Sequence, residues 1–251
     1  MNLQTIPRKD KVIKQAFIPK LDALLYFDYD QIELRLLAFY MAVLGDTSMA
    51  DAIKAGKDLH SESAIGSLGL DGIPTDEQRQ VGKTLNFSLV YGGGTPTLMR
   101  QLGITFPEAR KLLRNFHEKW PGIQIVQSVI DSEIDRKGYI KTLFGRHLHP
   151  ESQHKRLNAL VQGCAADLMR NALVTVDTGL REWEADSHLV NVVHDEIQLD
   201  ATEWEIPRLV EYVPQWMDYT EVSEVVPIGT SCEITRTTWA DKEEYCPSMT
   251  T

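Results

Sequence analysis

Long apolar runs are missing from this chain. No stretch of about 18 or more uncharged apolar residues occurs, and the opening MNLQTIPRKDK has no apolar core of a signal peptide, so neither a membrane span nor a signal peptide is expected. Cysteine is scarce as well. Cys164, Cys232 and Cys246 are odd in number and far apart, with no Cys-x-x-Cys pair and no histidine at zinc spacing, which excludes a disulfide framework or zinc module and suits a reducing cytoplasm. Positive charge is also short: 26 Lys and Arg against 36 Asp and Glu give a net charge of −10, which taken alone argues against a nucleic-acid partner. The charge is unevenly spread, however. Lys141, Arg146, Lys155 and Arg156, with His147, His149 and His154, meet a single acid between 141 and 156, while acids gather in 200–224 and 241–244. Such a basic run is either a solvated face or an anion-binding one. No internal repeat or low-complexity stretch is evident.

What is there is enough for a real core: 251 residues, 43% of them apolar. The aromatic-rich run Ala23 to Asp28 predicts a buried strand ending in an acid, and Ile32 to Leu44 a helix stopped by Gly45. Breakers between Gly56 and Pro74 surround a short helical piece near His60. Helices are expected over Asp76–Tyr91, entered through Thr75 or Asp76 and stopped by three glycines, then Pro107–Trp120, Ile123–Lys137 and Leu157–Trp183. Tyr139 to Leu148 reads as a hairpin turning at Phe144-Gly145-Arg146. His188–Val193 and Glu196–Asp200 read as strands flanking a tight turn at His194-Asp195.

Three segments carry the chemistry: Asp28-Tyr29-Asp30-Gln31-Ile32-Glu33-Leu34-Arg35, the run Arg79 to Gly92, and His194-Asp195-Glu196. Arg79, Lys83, Phe87 and Tyr91 recur every fourth residue, so two cations and two aromatics share one helical stripe. A ligand with a polyanionic end and a flat end, such as a nucleoside triphosphate, fits both halves. The plain alternative is an amphipathic helix whose aromatics pack inward while its cations snorkel. An Asp at a strand end is commonly a cap or turn residue, yet two of them in separate segments are enough to hold Mg²⁺ when triphosphate and water supply the other ligands.

The three segments resemble motifs A, B and C of the DNA polymerase I family (family A): DYDQIELR, R-x-x-x-K-x-x-x-F-x-x-x-Y-G and HDE. Order and spacing agree. Further matches are Asn2-Leu3-Gln4-x-Ile6-Pro7-Arg8, Gly56-Lys57-Asp58-x-His60, Gln162-Gly163-x-Ala165-Ala166-Asp167 and Trp239, so the resemblance runs along nearly the whole chain.

That resemblance implies template-directed, Mg²⁺-dependent transfer of a deoxynucleotide from a dNTP to a primer 3′-hydroxyl. Asp28 and Asp195 would bind two Mg²⁺ ions with the Tyr29 carbonyl, and Glu196 would stand beside them. Arg79, Lys83 and His60 would hold the triphosphate, with Lys83 also donating a proton to the leaving pyrophosphate. Phe87 would lie against the sugar, Tyr91 near the base, and Glu33 would crowd the sugar 2′ position. Phe rather than Tyr at position 87 implies discrimination against dideoxynucleotides. Gln31 would serve nucleotide and primer-template, and Arg35, Asn158, Gln162 and His194 would contact primer-template DNA. Three departures stand out: Asp30 replaces a usual Ser, Ser88 a usual Gly and His154 a usual Arg.

The resemblance implies an α+β fold, an antiparallel-sheet palm with a mostly helical fingers subdomain, the right-hand polymerase fold lacking its thumb. Palm is expected over 1–45 and 139–251, and fingers over 46–138. The partners implied are primer-template DNA, dNTP and an N-terminal polymerase fragment supplying the thumb, with or without an exonuclease, in the cytoplasm of a bacterial or phage-infected cell and with no membrane. A non-catalytic nucleotide- or DNA-binding subunit and a two-metal nuclease are the alternatives. The nuclease would have no need of the Arg79 to Tyr91 stripe.

Overall fold

The computed structural model describes residue 6 and residues 11–245. The amino-terminal match from Asn2 to Arg8, Ile6 apart, and Cys246 lie outside the described residues. In chain order the elements are α1 (Lys11–Lys14), β1 (Ala23–Tyr29), α2 (Ile32–Val43), α3 (Ser48–Lys54), α4 (Leu59–Leu68), α5 (Asp76–Val90), α6 (Thr95–Leu102), α7 (Phe106–Lys119) and α8 (Gly122–Lys137). Then come β2 (Ile140–Lys141), β3 (His147–Leu148), α9 (Arg156–Glu182), β4 (His188–Val193), β5 (Glu196–Ala201), α10 (Ile206–Met217), α11 (Thr220–Ser223), β6 (Thr230–Thr235) and β7 (Glu243–Glu244). The fold is mixed α+β with an antiparallel sheet. No helix among the described residues is long and apolar enough to cross a membrane.

Contacts divide the chain into two compact units: 1–32, 168–219 and 228–251 in one, 33–167 and 220–227 in the other. The first holds a five-stranded sheet in the order β4-β5-β1-β6-β7. β1 is central because it is apolar on both faces: Ala23 to Phe27 and Tyr29 are all buried. It pairs antiparallel with β5, Leu25 opposite Leu199, and with β6, Leu25 opposite Ile234. One sheet face carries Leu24 and Tyr26, which pack on Trp239, itself edge-on to Phe17 with ring centroids 5.5 Å apart. On the other side Tyr29 Oη donates to the Met217 carbonyl of α10 at 2.5 Å. The last turns of α9 reach α10 through Gly179, where a Cβ would stand 2.5 Å from the Trp216 ring.

The second unit is mostly helical. Thr75 and Gln78 form a reciprocal capping box at the start of α5, Thr75 N donating to Gln78 Oε1 at 2.8 Å and Gln78 N to Thr75 Oγ1 at 3.3 Å. α4 and α5 pack so closely that a Cβ on Gly82 would lie 2.0 Å from the His60 carbonyl oxygen. Leu85, Leu98, Phe116, Trp120 and Ile123 fill this core. The expected hairpin forms as β2 and β3, with Gly145 at φ 82° in its turn.

Most expected elements lie within a residue or two of their observed bounds, and seven were not foreseen: α1, α3, α6, α10, α11, β6 and β7. α6 occupies eight residues between glycine punctuation, barely two helical turns, so a helical period does not stand out in its sequence. α10 contains Pro214, and β6 alternates weakly, which hides each in the sequence.

Candidate functional site

In the sheet unit, β1 and β5 bring the expected carboxylates together. Asp28 is the direct cross-strand partner of Glu196, and His194-Asp195 form the two-residue turn between β4 and β5. His194 has φ 57° and Gln31, just after β1, φ 50°, so both carboxylate-bearing segments contain a non-glycine residue in the left-handed region. The Tyr29 amide donates to the Asp195 carbonyl at 3.3 Å, tying the two segments by backbone.

The electrostatics are strongly negative. Burial first, then Asp195 and Glu196, push the Asp28 carboxyl up to about 7, with Lys242 opposing. Burial also raises Asp195, against its backbone hydrogen bond, the opposing charge of His194 and a side-chain hydrogen bond with Asp28. Asp28 Oδ1 is buried with no hydrogen-bond partner. A buried carboxylate oxygen without a donor, beside a second acid, is the donor set a hard divalent cation takes. Among the described residues no group of three or more His, Cys, Asp or Glu is placed to hold a metal ion, so any such ion would draw its remaining ligands from backbone, water or substrate. Glu196 is differently placed: Oε1 accepts from Gln198 Nε2 at 2.7 Å and Oε2 from Lys242 Nζ at 2.7 Å. Asp30 is exposed, its amide donating to the Gly229 carbonyl at 2.9 Å.

In the helical unit, α5 presents Arg79, Lys83 and Phe87 on one half-exposed stripe, with Tyr91 exposed at its C-cap. Lys83 Nζ lies 5.8 Å from the Phe87 ring centroid, and Phe87 and Tyr91 stack at 5.9 Å and 12°. The Arg79 guanidinium is held in a fork: Nε donates to Asp58 Oδ2 at 2.8 Å and Nη2 to Asp58 Oδ1 at 2.9 Å. Asp58 also caps α4 by accepting from Ser61 N at 2.9 Å. Burial works against its charge, but the hydrogen bonds from Arg79 and Ser61 hold Asp58 well below the usual carboxylate range.

His60 ends a buried chain of hydrogen bonds whose direction can be deduced. Trp120 Nε1 can only donate, so Ser63 Oγ, 3.0 Å away, accepts and passes its proton to Asn86 Oδ1 at 2.8 Å. Asn86 Nδ2 is thereby turned to His60 Nδ1 at 2.9 Å. Nδ1 must accept, which leaves Nε2–H as the donor of a neutral ring. Burial, with Arg79 and Lys83 adding to it and Asp58 opposing, takes the His60 pKa down to about 4.

The remaining expected residues fall on three places. Glu33 and Arg35 lie on α2, Arg35 Nη1 donating to the Pro227 carbonyl. Asn158 and Gln162 stand one turn apart on α9, the first half-buried and the second exposed. His194 is exposed. Ser88, in place of a glycine, is buried, and a Cβ on Gly93 would fall 2.4 Å from its Oγ. His154 is exposed. Its carbonyl comes so near Gly92, at φ 73°, that a Cβ there would be 1.8 Å away.

Sequence reasoning missed the Asp58 fork, the Ser63–Asn86–Trp120 chain and the Gln198–Lys242 grip on Glu196. Asp58 was signalled by its position just before a helical run. The others join residues 23 to 57 positions apart in one case and 46 in another, and no local pattern reports them.

One unit carries an antiparallel sheet presenting paired acids, and the other a helix lined with cations and aromatics, features of an α+β protein of the polymerase class. The profile of DNA polymerase family A matches residues 1–241, and the chain belongs to that family. It is 33% identical over 256 residues to DNA polymerase I of Lactococcus lactis subsp. lactis (strain IL1403), covering 95% of this chain and 29% of the relative. Against DNA polymerase I of Geobacillus stearothermophilus it is 33% identical over 236 residues, covering 86% of this chain and 26% of the relative. Among solved structures it matches the POL domain of Pol1 from M. smegmatis, in complex with DNA primer-template and dNTP, with a TM-score of 0.84 and 27% identity over 95% of this chain and 44% of that one. The chain thus spans about a quarter of the length of the curated relatives it matches.

Proposed function

We propose that this chain carries out template-directed DNA synthesis, adding a deoxynucleotide from a dNTP to a primer 3′-hydroxyl. The observation that carries the reading is the half-buried pair Asp28 and Asp195, with Asp28 Oδ1 buried and lacking a donor, in a family A chain that also bears the α5 stripe. Asp28, Asp195 and the Tyr29 carbonyl would hold two Mg²⁺ ions. When bound, such ions supply Lewis-acid activation of the 3′-hydroxyl and neutralise charge at the α-phosphate. The primer oxygen would bond to the α-phosphorus as the bond to the bridging oxygen of the β-phosphate breaks, its hydroxyl proton leaving to solvent and pyrophosphate departing.

Around that reaction the chain's residues have separate tasks. Arg79, preset by Asp58, and Lys83 would meet the triphosphate oxygens, and His60 would offer Nε2–H while staying neutral. Lys83 would give its proton to the leaving pyrophosphate. Phe87 would pack on the sugar, Tyr91 would lie by the base, and Glu33 would crowd a 2′-hydroxyl. Gln31, Arg35, Asn158, Gln162 and His194 would hold primer-template, with 1–45 and 139–251 acting as palm and 46–138 as fingers. A companion polypeptide supplying a thumb belongs to the proposal. We place the reaction in the cytoplasm of a bacterial or phage-infected cell.

The test is single-nucleotide primer extension with Mg²⁺ and each dNTP, by the wild type, Asp28→Ala and Asp195→Ala. Template-matched extension lost in both variants is expected. Primer degradation without dNTP would replace this reading with a nuclease. Tight DNA binding without extension, alone and with an added thumb-bearing fragment, would replace it with a non-catalytic subunit.

A further inference from the structure

Glu196 has both carboxylate oxygens occupied by side chains of its own sheet unit. Gln198 Nε2 holds Oε1 at 2.7 Å and Lys242 Nζ holds Oε2 at 2.7 Å, and the residue is 8% exposed. Each holder is itself fixed. Gln198 Oε1 accepts from Asn191 Nδ2 at 3.0 Å, across the β4–β5 pair. Lys242 Nζ also pairs with Glu233 and lies 5.0 Å from the Tyr26 ring centroid. Tyr26 is the cross-strand partner of both Gln198 and Glu233, so these side chains form one row on the sheet face that Asp28 and Glu196 also occupy. Lys242 follows the short helical turn at Trp239–Asp241, whose Trp239 is anchored by its amide donating to the Phe17 carbonyl at 2.9 Å.

We propose that Lys242 and Gln198 clamp Glu196 as a fixed counter-charge, leaving cation binding to Asp28 and Asp195, so that Lys242 is a positioning residue that sets the metal affinity of that pair. The inference rests on the polymerase reading of the site. An unclamped Glu196 directly across the ladder from Asp28 is a third hard oxygen ligand, and loss of the ammonium adds one uncompensated negative charge to the site. Both effects act in the same direction. A cation should bind more tightly, and at a geometry that the clamp forbids.

The experiment is Mn²⁺ binding followed by electron paramagnetic resonance, without nucleotide or DNA, in the wild type, Asp28→Ala, Lys242→Met, Lys242→Arg, Glu196→Gln and the Lys242→Met/Glu196→Gln double variant. Circular dichroism melts check that each is folded. Lys242→Met is expected to bind Mn²⁺ about three- to tenfold more tightly, as one added charge near the site requires. Lys242→Arg should restore wild-type affinity, and the gain should be smaller in the Glu196→Gln background. Unchanged affinity in folded Lys242→Met would overturn the clamp alone. Wild-type protein whose Mn²⁺ binding is absent or insensitive to Asp28→Ala would also overturn the clamp, while the polymerase reading, whose metal ligands include the triphosphate, stands or falls on primer extension.

Discussion

Asp28 and Glu196 face each other directly across the β1–β5 ladder, two acids in a position where like charges destabilise a sheet. Such an arrangement persists only if something outside stability requires it. In metal-free protein at pH 8, in EDTA, Asp28→Asn is therefore expected to raise stability by about 1–3 kcal/mol, because it removes a buried charge beside two others. The same change should lower nucleotide incorporation by at least about 10²-fold. Denaturant melts and single-turnover extension on one preparation check both halves. A variant that lost stability and kept its rate would contradict the assignment of Asp28.

His60 makes stability depend on pH. Its folded pKa, about 4, lies below the unfolded value near 6.5, so between these the unfolded chain binds the extra proton and stability falls as pH falls. The loss should approach about 1.4 kcal/mol per pH unit at its steepest, and vanish above about pH 7.5. His60→Gln should flatten that part of the curve. Urea titrations at pH 7.5, 6 and 5 measure it, and an unchanged slope in the variant would show that His60 does not titrate as its buried hydrogen bonds require.

The α4–α5 contact leaves no room at Gly82. A Cβ there would sit 2.0 Å from the His60 carbonyl oxygen and 2.8 Å from the Ala64 amide nitrogen, both backbone atoms that cannot swing aside. Gly82→Ala should cost about 3 kcal/mol, despite the better helix propensity of alanine. Gly72→Ala, with nothing within 4 Å of its added methyl, should stay within about 0.5 kcal/mol of wild type. Thermal melts of the pair separate crowding from loss of backbone freedom.

What the sequence exposed depends on how local each determinant is. β1 declares itself through six apolar or aromatic residues out of seven, and α5 through its capping box and four-residue stripe. The turn at His194-Asp195 was readable because β-prone runs flank it. The carboxylate pair was readable only by resemblance, since nothing in residues 23–30 says what residue 195 will face. Charge was misleading when summed: the net value of −10 hides both a basic segment at 141–156 and the fact that several cations are committed within the fold. Arg146 forks onto Asp167 and Arg156 onto Asp131, so neither is a free point of attraction for phosphate.

Arg79 is the cation for which such a commitment has a functional reading. Its fork to Asp58 uses Nε and Nη2, and Nη1 takes no part in that pair. Asp58 is in turn fixed by the first turn of α4, where it accepts from Ser61 N and, at 2.7 Å, from Ser61 Oγ. Asp58→Ala would remove a helix cap and an aligned partner together, for about 1–2 kcal/mol of stability. Its effect on catalysis should be selective. A freed Arg79 must give up rotamer freedom on meeting a triphosphate that the fork had already restricted, so KM for dNTP should rise about three- to tenfold. kcat should change by less than about threefold, because Asp28 and Asp195, the acids proposed to bind the metal ions, belong to another part of the chain. Asp58→Asn keeps the cap but weakens the fork, and should fall between the two in KM while melting close to wild type. Steady-state single-nucleotide kinetics on the three proteins resolve this. A fall in kcat at constant KM would mean that the fork to Asp58 sets Arg79 for the transition state and not for ground-state binding of the dNTP.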